Sequence, residues 1–244
     1  MSIRRADRII AISENTKKDL VETLKIPSHK IRVIYPSGHE KFTAHIPPSN
    51  VEATKQKLGI KGRYFLTVGS FEPRKNLERV MAAFAEFARH LSPNEYQLVL
   101  VGPQDFARGN YFGNLCNQFR IGESHFLATG YVNHDTLNAL YAGADALIFA
   151  SLYEGFGLPI LEAMASGCPV IASNRASLPE VAGDAAEYFD PENIEQLREK
   201  MALLSKNDGR RHSLIASGFE RIKLFSWHNH ANEVIATYRE VLNL

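Results

Sequence analysis

The sequence predicts an α/β fold: a Rossmann-like parallel sheet with helices on both faces, followed by a helical carboxyl-terminal tail. Short, nearly continuous apolar runs alternate with segments of helical periodicity, which is the pattern of parallel strands buried on both faces. The 244 residues, 45% hydrophobic and 23% charged, are enough to bury a substantial core. From residue 193 onward the helical periodicity continues without a further strand run, which predicts the tail.

Eight apolar runs are predicted strands, and segments between them are predicted helices. The strands are Arg8–Ile12, Ile31–Tyr35, Tyr64–Val68, Gln97–Val101, His125–Thr129, Ala146–Ala150, Pro169–Ser173 and a weaker Ala186–Phe189. The helices are Glu14–Lys25, Asn76–His90, Tyr111–Arg120, Asp135–Gly143, Pro159–Ser166, and in the tail Asn193–Lys206, Arg210–Leu224 and Trp227–Leu242. Because crossovers between parallel strands are right-handed, we expect every strand-to-helix loop at one edge of the sheet, where open α/β sheets bind ligands.

Residues 36–50, PSGHEKFTAHIPPSN, predict a linker because they are rich in proline, serine and polar residues and lack a periodic apolar pattern. Before them lie one strand, one helix and one strand, about 35 residues, which is too few to close a core. We therefore expect this amino-terminal piece either to be the end of a domain whose larger part is absent or to dock elsewhere on the chain.

Charge and cysteine content narrow the classes of function. The net charge of +1 gives no general argument for binding nucleic acid. Residues 1–41 carry nine basic and five acidic residues, a net +4, for which a solvated helix face is favoured over contact with anionic lipid at the inner face of a membrane. Cys116 and Cys168 match no metal or redox spacing, which favours a cytoplasmic setting. We find no signal peptide and no apolar run of about 20 residues.

The stretch YEGFGLPILEAMA, residues 153–165, combines a glycine loop with the start of a predicted helix. The free N–H groups of Phe156, Gly157 and Leu158, aided by the helix dipole, would suit a phosphate group. Gly155 and Gly157 would allow a ligand to approach the backbone closely. The sequence therefore predicts an anion site at this strand end.

Two glutamates flank this loop. Glu162 is expected in the first turn of the helix that begins at Pro159, where its carboxylate could accept hydrogen bonds from ribose hydroxyls. Glu154 lies in the loop and could reach a hydroxyl-rich group beyond the phosphates. Either glutamate alone could equally serve the helix dipole or the surface, but the pair together with the glycine loop favours binding of a sugar nucleotide.

A second loop supplies positive charge. The stretch GSFEPRKNL, Gly69–Leu77, follows a predicted strand and places Arg74 and Lys75 close to the amino end of the helix that begins near Asn76. Cations are unfavourable at that end of a helix. An anionic ligand such as a diphosphate would turn this conflict into a binding site, and a solvated pair is the alternative.

Taken together, GSFEPRKNL, LVLVG, TGYV and ASLYEGFGLPILEAMASGCPVIAS resemble the carboxyl-terminal half of the family 4 glycosyltransferases, which have the GT-B fold. The Glu-x7-Glu spacing of Glu154 and Glu162 is that family's signature. The opening ADRIIAISENTKKDLVETLKIPSHKIRVIYPSG is similar to the end of the family's amino-terminal domain. The resemblance implies that residues 1–40 are a remnant of the acceptor domain, that a linker extends to about residue 50, and that residues 51–244 bind a nucleotide-sugar donor.

The resemblance implies a retaining hexosyltransferase that transfers a sugar from a nucleotide-diphosphate donor to a glycan or lipid-linked acceptor without a metal. Lys75 and Arg74 would neutralise the leaving diphosphate, Glu154 would contact the donor sugar, and Glu162 would contact the ribose. The EPRKNL stretch is similar to that of members that build bacterial surface polysaccharides, often from mannose donors. The further donor-binding residues would be Gly69, Gly155, Phe156, Gly157 and Leu158, together with Tyr131 and Val132 near the base.

Two departures from the family pattern leave alternatives open. Many members have an arginine directly after the first loop's glycine, where this chain has Ser70. The acceptor domain is almost wholly missing, so the chain could be a donor-binding module that is inactive without that domain or a partner chain. A sugar-nucleotide epimerase of the same fold is a further alternative. For Tyr131, an aromatic that closes the sheet edge is as plausible as a base contact.

Other nucleotide-dependent classes fit less well. No predicted strand is followed by Gly-x-Gly-x-x-Gly, which disfavours a dinucleotide-dependent dehydrogenase, and no Gly-x4-Gly-Lys-Ser/Thr is present for a P-loop. The absence of Asp-x-Asp disfavours the glycosyltransferases that hold their diphosphate through a metal.

Overall fold

The computed structural model describes residues 3–70, 72–92, 94–102, 111–119 and 122–243. The strands are β1 Ile9–Ala11, β2 Ile31–Val33, β3 Arg63–Val68, β4 Tyr96–Val101, β5 Phe126–Gly130, β6 Ala146–Phe149, β7 Val170–Ser173 and β8 Glu187–Phe189. The helices are α1 Glu14–Leu24, α2 Pro48–Leu58, α3 Leu77–Ala88, α4 Tyr111–Phe119, α5 His134–Gly143, α6 Leu158–Ala165, α7 Leu178–Ala182, α8 Ile194–Lys206, α9 Asp208–Ile222 and α10 Trp227–Leu242.

Six strands form one parallel sheet in the order β5-β4-β3-β6-β7-β8, and β1 and β2 form a separate parallel pair. The predicted fold class, including the helical tail, is confirmed. The chain lays β4 and β5 outward on one side of β3 and then returns to its other side with β6. The strand order therefore reverses between β3 and β6, and the loops after these two strands border the crevice where such sheets bind ligands.

Alternation along the central strands explains the sheet's burial on both faces. On β3, Tyr64 and Leu66 pack into one hydrophobic cluster and Phe65 into the other, and all three side chains are fully buried. On β6, Leu147 and Ile148 divide between the same two clusters. This is why the predicted strands appear as continuous apolar runs rather than as an alternating pattern.

Two helices were not predicted from the sequence. Helix α2 buries none of its residues, so it has no apolar stripe to reveal it, and it begins at Pro48, inside the segment 36–50 that was predicted to lack regular structure. Its signals are Pro48 at the amino end and Gly59, with φ of 80°, at the carboxyl cap. Helix α7 has only five residues, too few for periodicity to detect. The predicted end of α4 at Arg120 lies outside the described residues.

The amino-terminal unit β1–α1–β2 has a small core of its own. Its buried apolar residues are Ala11, Ile26 and Ile31. Arg8, which directly precedes β1, forms an ion pair with Glu240 of the tail helix α10. Within the described ranges, no helix combines the length and the hydropathy that crossing a membrane requires.

Candidate active site

The loops after β3 and β6 meet in a cluster of ion pairs. Lys75 Nζ lies 2.5 Å from Glu154 Oε1, and Arg74 Nη1 lies 3.0 Å from the same oxygen. Ser151 donates a third hydrogen bond to this oxygen over 2.8 Å. The side chains of Lys75 and Glu154 are only 16% and 13% exposed, and the ammonium sits 4.9 Å from the centre of the Phe149 ring. The structure therefore brings the predicted cationic loop directly against the predicted glycine loop.

Asn76 anchors the cationic loop to the sheet. It has left-handed backbone geometry with φ of 61° and is buried. Its side-chain amide donates to the carbonyl oxygens of Ala150, over 3.2 Å, and Pro191, over 2.7 Å. The carbonyl of Arg74 accepts a hydrogen bond from the N–H of Leu152 over 2.8 Å, so the two loops are also joined by backbone. Sequence reasoning treated Asn76 only as the start of a helix.

A second carboxylate lies in the cationic loop itself. Ser70 donates to Glu72 Oε1 over 2.7 Å, and Arg74 Nε donates to Glu72 Oε2 over 2.8 Å. These hydrogen bonds, first from Ser70 and then from Arg74, hold the pKa of Glu72 below its ordinary value. Gly69 has φ of 139°, which favours glycine, and a Cβ built there would lie 3.6 Å from Lys75 Nζ.

The charges of this cluster balance. Two cations, Lys75 and Arg74, face two carboxylates, Glu72 and Glu154, so the cluster carries no net charge. Sequence reasoning assigned no role to Glu72 or Ser151, although both lie within the motifs that carry the resemblance. Among the described residues, no group of three or more His, Cys, Asp or Glu side chains is arranged to hold a metal ion.

The glycine loop contains backbone N–H groups that have no acceptor among the described residues. Gly157 has φ of 118° and caps α6 without a side-chain hydrogen bond. In the part of the chain that the structure describes, no acceptor is found for the N–H groups of Phe156, Gly157 and Leu158. The Phe156 ring is buried, so the loop offers its backbone there rather than its side chain. Helix α6 begins at Leu158, so the expectation that Pro159 is the first helical residue is wrong by one position.

Glu162 lies in the second turn of α6, and its expected place in the first turn is also wrong. The reason is the left-handed Gly157, which lets the helix begin earlier than the proline indicated. Glu162 accepts a hydrogen bond from the Tyr141 hydroxyl over 3.0 Å. Burial raises the pKa of its carboxyl above the ordinary value, although the Tyr141 hydrogen bond and the nearby His134 oppose this.

The residues expected near the base lie farther along the same sheet edge. Tyr131 and Val132 follow β5, which is separated from β3 by β4, so they lie about 10 Å from the β3 loop at the usual strand spacing. Tyr131 is 81% exposed, so its ring closes no part of the core. Helix α5 begins two residues after Val132 and carries Tyr141, which links this region to Glu162.

Neighbouring elements hold the glycine loop in place, and sequence reasoning missed all of them. The Ser177 hydroxyl lies 2.9 Å from the carbonyl oxygen of Glu154 and 2.8 Å from that of Phe156. From the amino-terminal unit, Thr16 donates to the carbonyl of Gly155 over 3.3 Å. No local pattern reveals these contacts, because they join segments 21 to 139 positions apart.

The sheet and its crevice define an open α/β domain whose polar groups converge at the topological switch point. Residues 50–221 match the family described as "Glycosyl transferases group 1", and the chain belongs to that family. The fold agrees: a glycosyltransferase structure from Rickettsia africae ESF-5 superposes with a TM-score of 0.84 at 22% identity, covering 98% of this chain and 65% of that one. The GT-B type of Rossmann-like domain is thereby confirmed.

The chain is also similar in sequence to curated proteins of Escherichia coli. It is 31% identical over 242 residues to the serotype-specific mannosyltransferase WbdA, covering 98% of this chain and 29% of that protein. It is 31% identical over 243 residues to the O-antigen chain mannosyltransferase B, covering 98% of this chain and 62% of that protein. The chain thus spans 29% to 62% of the length of these relatives.

Proposed function

We propose that this chain is the donor-binding half of a retaining family 4 glycosyltransferase that transfers a hexose, mannose in the first instance, from a nucleotide-diphosphate sugar to a glycan or lipid-linked acceptor. The observation that carries the proposal is the contact of Lys75 and Arg74 with Glu154, the carboxylate at the start of the glycine loop. The names of the two Escherichia coli relatives support mannose as the sugar.

In this proposal the donor's diphosphate binds between the cationic and glycine loops. Lys75 and Arg74 neutralise the charge that develops on the leaving diphosphate, which stabilises the transition state. The N–H groups of Gly157 and Leu158 add preorganised donors beside the helix dipole. The positive charge comes from side chains, so the proposal requires no metal.

Two glutamates bind the two sugars of the donor, the transferred hexose and the ribose. Glu154, beside the diphosphate site, accepts hydrogen bonds from the donor sugar. Glu162 accepts them from the ribose, and the Tyr141 hydroxyl fixes its orientation. Tyr131 and Val132 lie farther along the edge, where an extended nucleotide places its base.

The domain assignment is part of the proposal. Residues 1–40 belong to the acceptor domain, the linker follows, and residues 51–244 bind the donor. The small core of the amino-terminal unit supports this, since three buried apolar residues cannot sustain an independent domain. It also favours the second candidate function, a donor-binding module that transfers sugar only when an acceptor domain or partner chain completes the cleft.

Isothermal titration calorimetry tests the proposal. The protein is titrated with GDP, UDP and their hexose-bearing donors, beside Lys75→Met, which keeps an apolar stem over Phe149. We expect the variant to bind the preferred nucleotide about five- to thirtyfold more weakly, a loss of about 1–2 kcal/mol. The loss lies near the lower end for a charge-assisted hydrogen bond because Lys75 already has a carboxylate partner. Lys55→Met, which removes an ammonium paired with Glu52 on α2, is the matched control.

Three outcomes are informative. Absence of binding by every nucleotide and donor would overturn the proposed function. Unchanged affinity in Lys75→Met would remove Lys75 from the site. Equal losses in Lys75→Met and the Lys55→Met control would show that only the overall charge of the protein matters.

A further inference from the structure

Each cation proposed to hold the diphosphate is paired with a carboxylate in this structure. Lys75 and Arg74 both contact Glu154 Oε1, at 2.5 and 3.0 Å, and Arg74 contacts Glu72 as well. The Ser151 hydroxyl adds a third hydrogen bond to the same Glu154 oxygen. One carboxylate oxygen therefore collects three of the donors that face the crevice.

Binding of a diphosphate to Lys75 and Arg74 is electrostatically unfavourable while the Glu154 carboxylate stays in place. The cluster has no net charge, so a diphosphate placed against Lys75 and Arg74 would add negative charge next to a carboxylate that is 13% exposed. Like charges in contact in a partly buried site repel strongly. The Glu154 side chain must therefore turn away when a phosphate group takes its place.

The backbone around Glu154 permits such a turn. The carbonyl of Glu154 is held near the Ser177 hydroxyl, and that of the next residue, Gly155, accepts a hydrogen bond from Thr16. These hydrogen bonds hold the main chain and do not involve the Glu154 carboxylate, so the side chain can leave the cations without breaking them.

We propose that Glu154 determines specificity by competing with the diphosphate for Lys75 and Arg74, so that the site favours diphosphates that carry a sugar. When a free diphosphate binds, the displaced carboxylate loses three hydrogen bonds and gains only water. When the donor binds, the same carboxylate finds the hydroxyl groups of the attached sugar. This inference rests on the proposed function and adds to it a reason why the site would bind free diphosphates more weakly than sugar-bearing ones.

Calorimetry with inorganic pyrophosphate, a nucleoside diphosphate and the corresponding nucleotide sugar tests the exchange, using the wild type and Glu154→Gln. The amide keeps the size of the side chain and removes the competing charge. We expect Glu154→Gln to bind pyrophosphate and the nucleoside diphosphate at least about fivefold more tightly, about 1 kcal/mol at 1.4 kcal/mol per factor of ten. Its affinity for the nucleotide sugar should not rise in parallel, so the preference for the sugar-bearing ligand should shrink.

Two further variants make the test independent of how well Glu154→Gln folds. Ser151→Ala removes one of the three hydrogen bonds that hold Glu154 on the cations and should raise pyrophosphate affinity in the same direction, by less. Glu86→Gln, which removes an exposed carboxylate paired with Arg89 near the far end of α3, should leave pyrophosphate binding unchanged.

The failure of this inference differs from the failure of the proposed function. If the wild type binds the nucleotide sugar but Glu154→Gln binds pyrophosphate no more tightly, the competition is refuted and the donor site stands. A similar gain in Glu86→Gln would refute it too, because a general charge effect would then explain the result. If the wild type binds no nucleotide sugar, the proposed function itself fails.

Discussion

Replacing Asn76 should destabilise the protein in an unusual order, with alanine worse than glycine. The Asn76 amide donates two hydrogen bonds to buried carbonyl groups, and its oxygen accepts one from Arg79 over 2.9 Å. Loss of the two amide donations should cost about 1–3 kcal/mol, at about 0.5–1.5 kcal/mol each. Glycine loses these hydrogen bonds, together with the one from Arg79, without unfavourable backbone geometry. Alanine keeps a Cβ at a residue with φ of 61° but lacks the short polar side chain that makes asparagine tolerant of left-handed backbone, a further cost of about 1 kcal/mol.

We therefore expect Asn76→Gly to lower the free energy of unfolding by about 1–3 kcal/mol and Asn76→Ala by about 2–4 kcal/mol. Urea denaturation followed by circular dichroism measures both values. The matched control is Asn229, which is exposed and lies in the ordinary helical backbone of α10. There the order should reverse, because glycine is less favourable than alanine inside a helix by about 1 kcal/mol.

The reasoning fails if Asn76→Ala is as stable as Asn76→Gly, since the left-handed backbone would then carry no cost. It also fails if Asn76→Gly is as stable as the wild type, since the two amide hydrogen bonds would then contribute nothing. Asn76 should affect binding as well, because it anchors the loop that carries Arg74 and Lys75. Both variants should therefore weaken diphosphate binding although Asn76 itself touches no ligand.

Two further predictions concern carboxylates outside the crevice. Burial raises the pKa of the Glu187 carboxyl, but hydrogen bonds from Lys200 and Arg210 outweigh it and hold the pKa below its ordinary 4.5. Because its pKa is lowered in the folded state, Glu187 stabilises the protein above about pH 4.5, and this contribution is lost as the pH falls through the folded-state value. In Glu187→Gln, the free energy of unfolding should therefore fall less steeply as the pH is lowered into the acid range. An unchanged slope in that range would contradict the prediction. The Glu180 carboxylate accepts hydrogen bonds from the first two N–H groups of α1, at 2.6 and 3.1 Å. Glu180→Gln should therefore speed amide hydrogen exchange in α1 and not in α8. Equal acceleration in both helices would indicate general destabilisation instead.

Local patterns were sufficient for much of the fold. The continuous apolar runs of β3 and β6 reflect burial on both faces, a property of each strand that needs no knowledge of its neighbours. The Arg74–Lys75 pair stands out because cations are unfavourable at the amino end of a helix, and the glycine loop stands out because glycines let a ligand approach the backbone closely. Helix α2 was missed because a helix that buries no residue leaves no periodic apolar pattern in the sequence.

The chemistry of the candidate site depends on contacts that no local pattern contains. Glu154 and Lys75 are 79 positions apart, and they meet only because β6 pairs with β3 rather than with β5, its predecessor along the chain. Composition and periodicity determine which residues are buried and where each strand ends. The strand order determines which loops become neighbours, and it is decided by the packing of the whole sheet. The sequence could therefore indicate a cationic loop and an acidic loop at one edge, whereas only the assembled sheet made them partners.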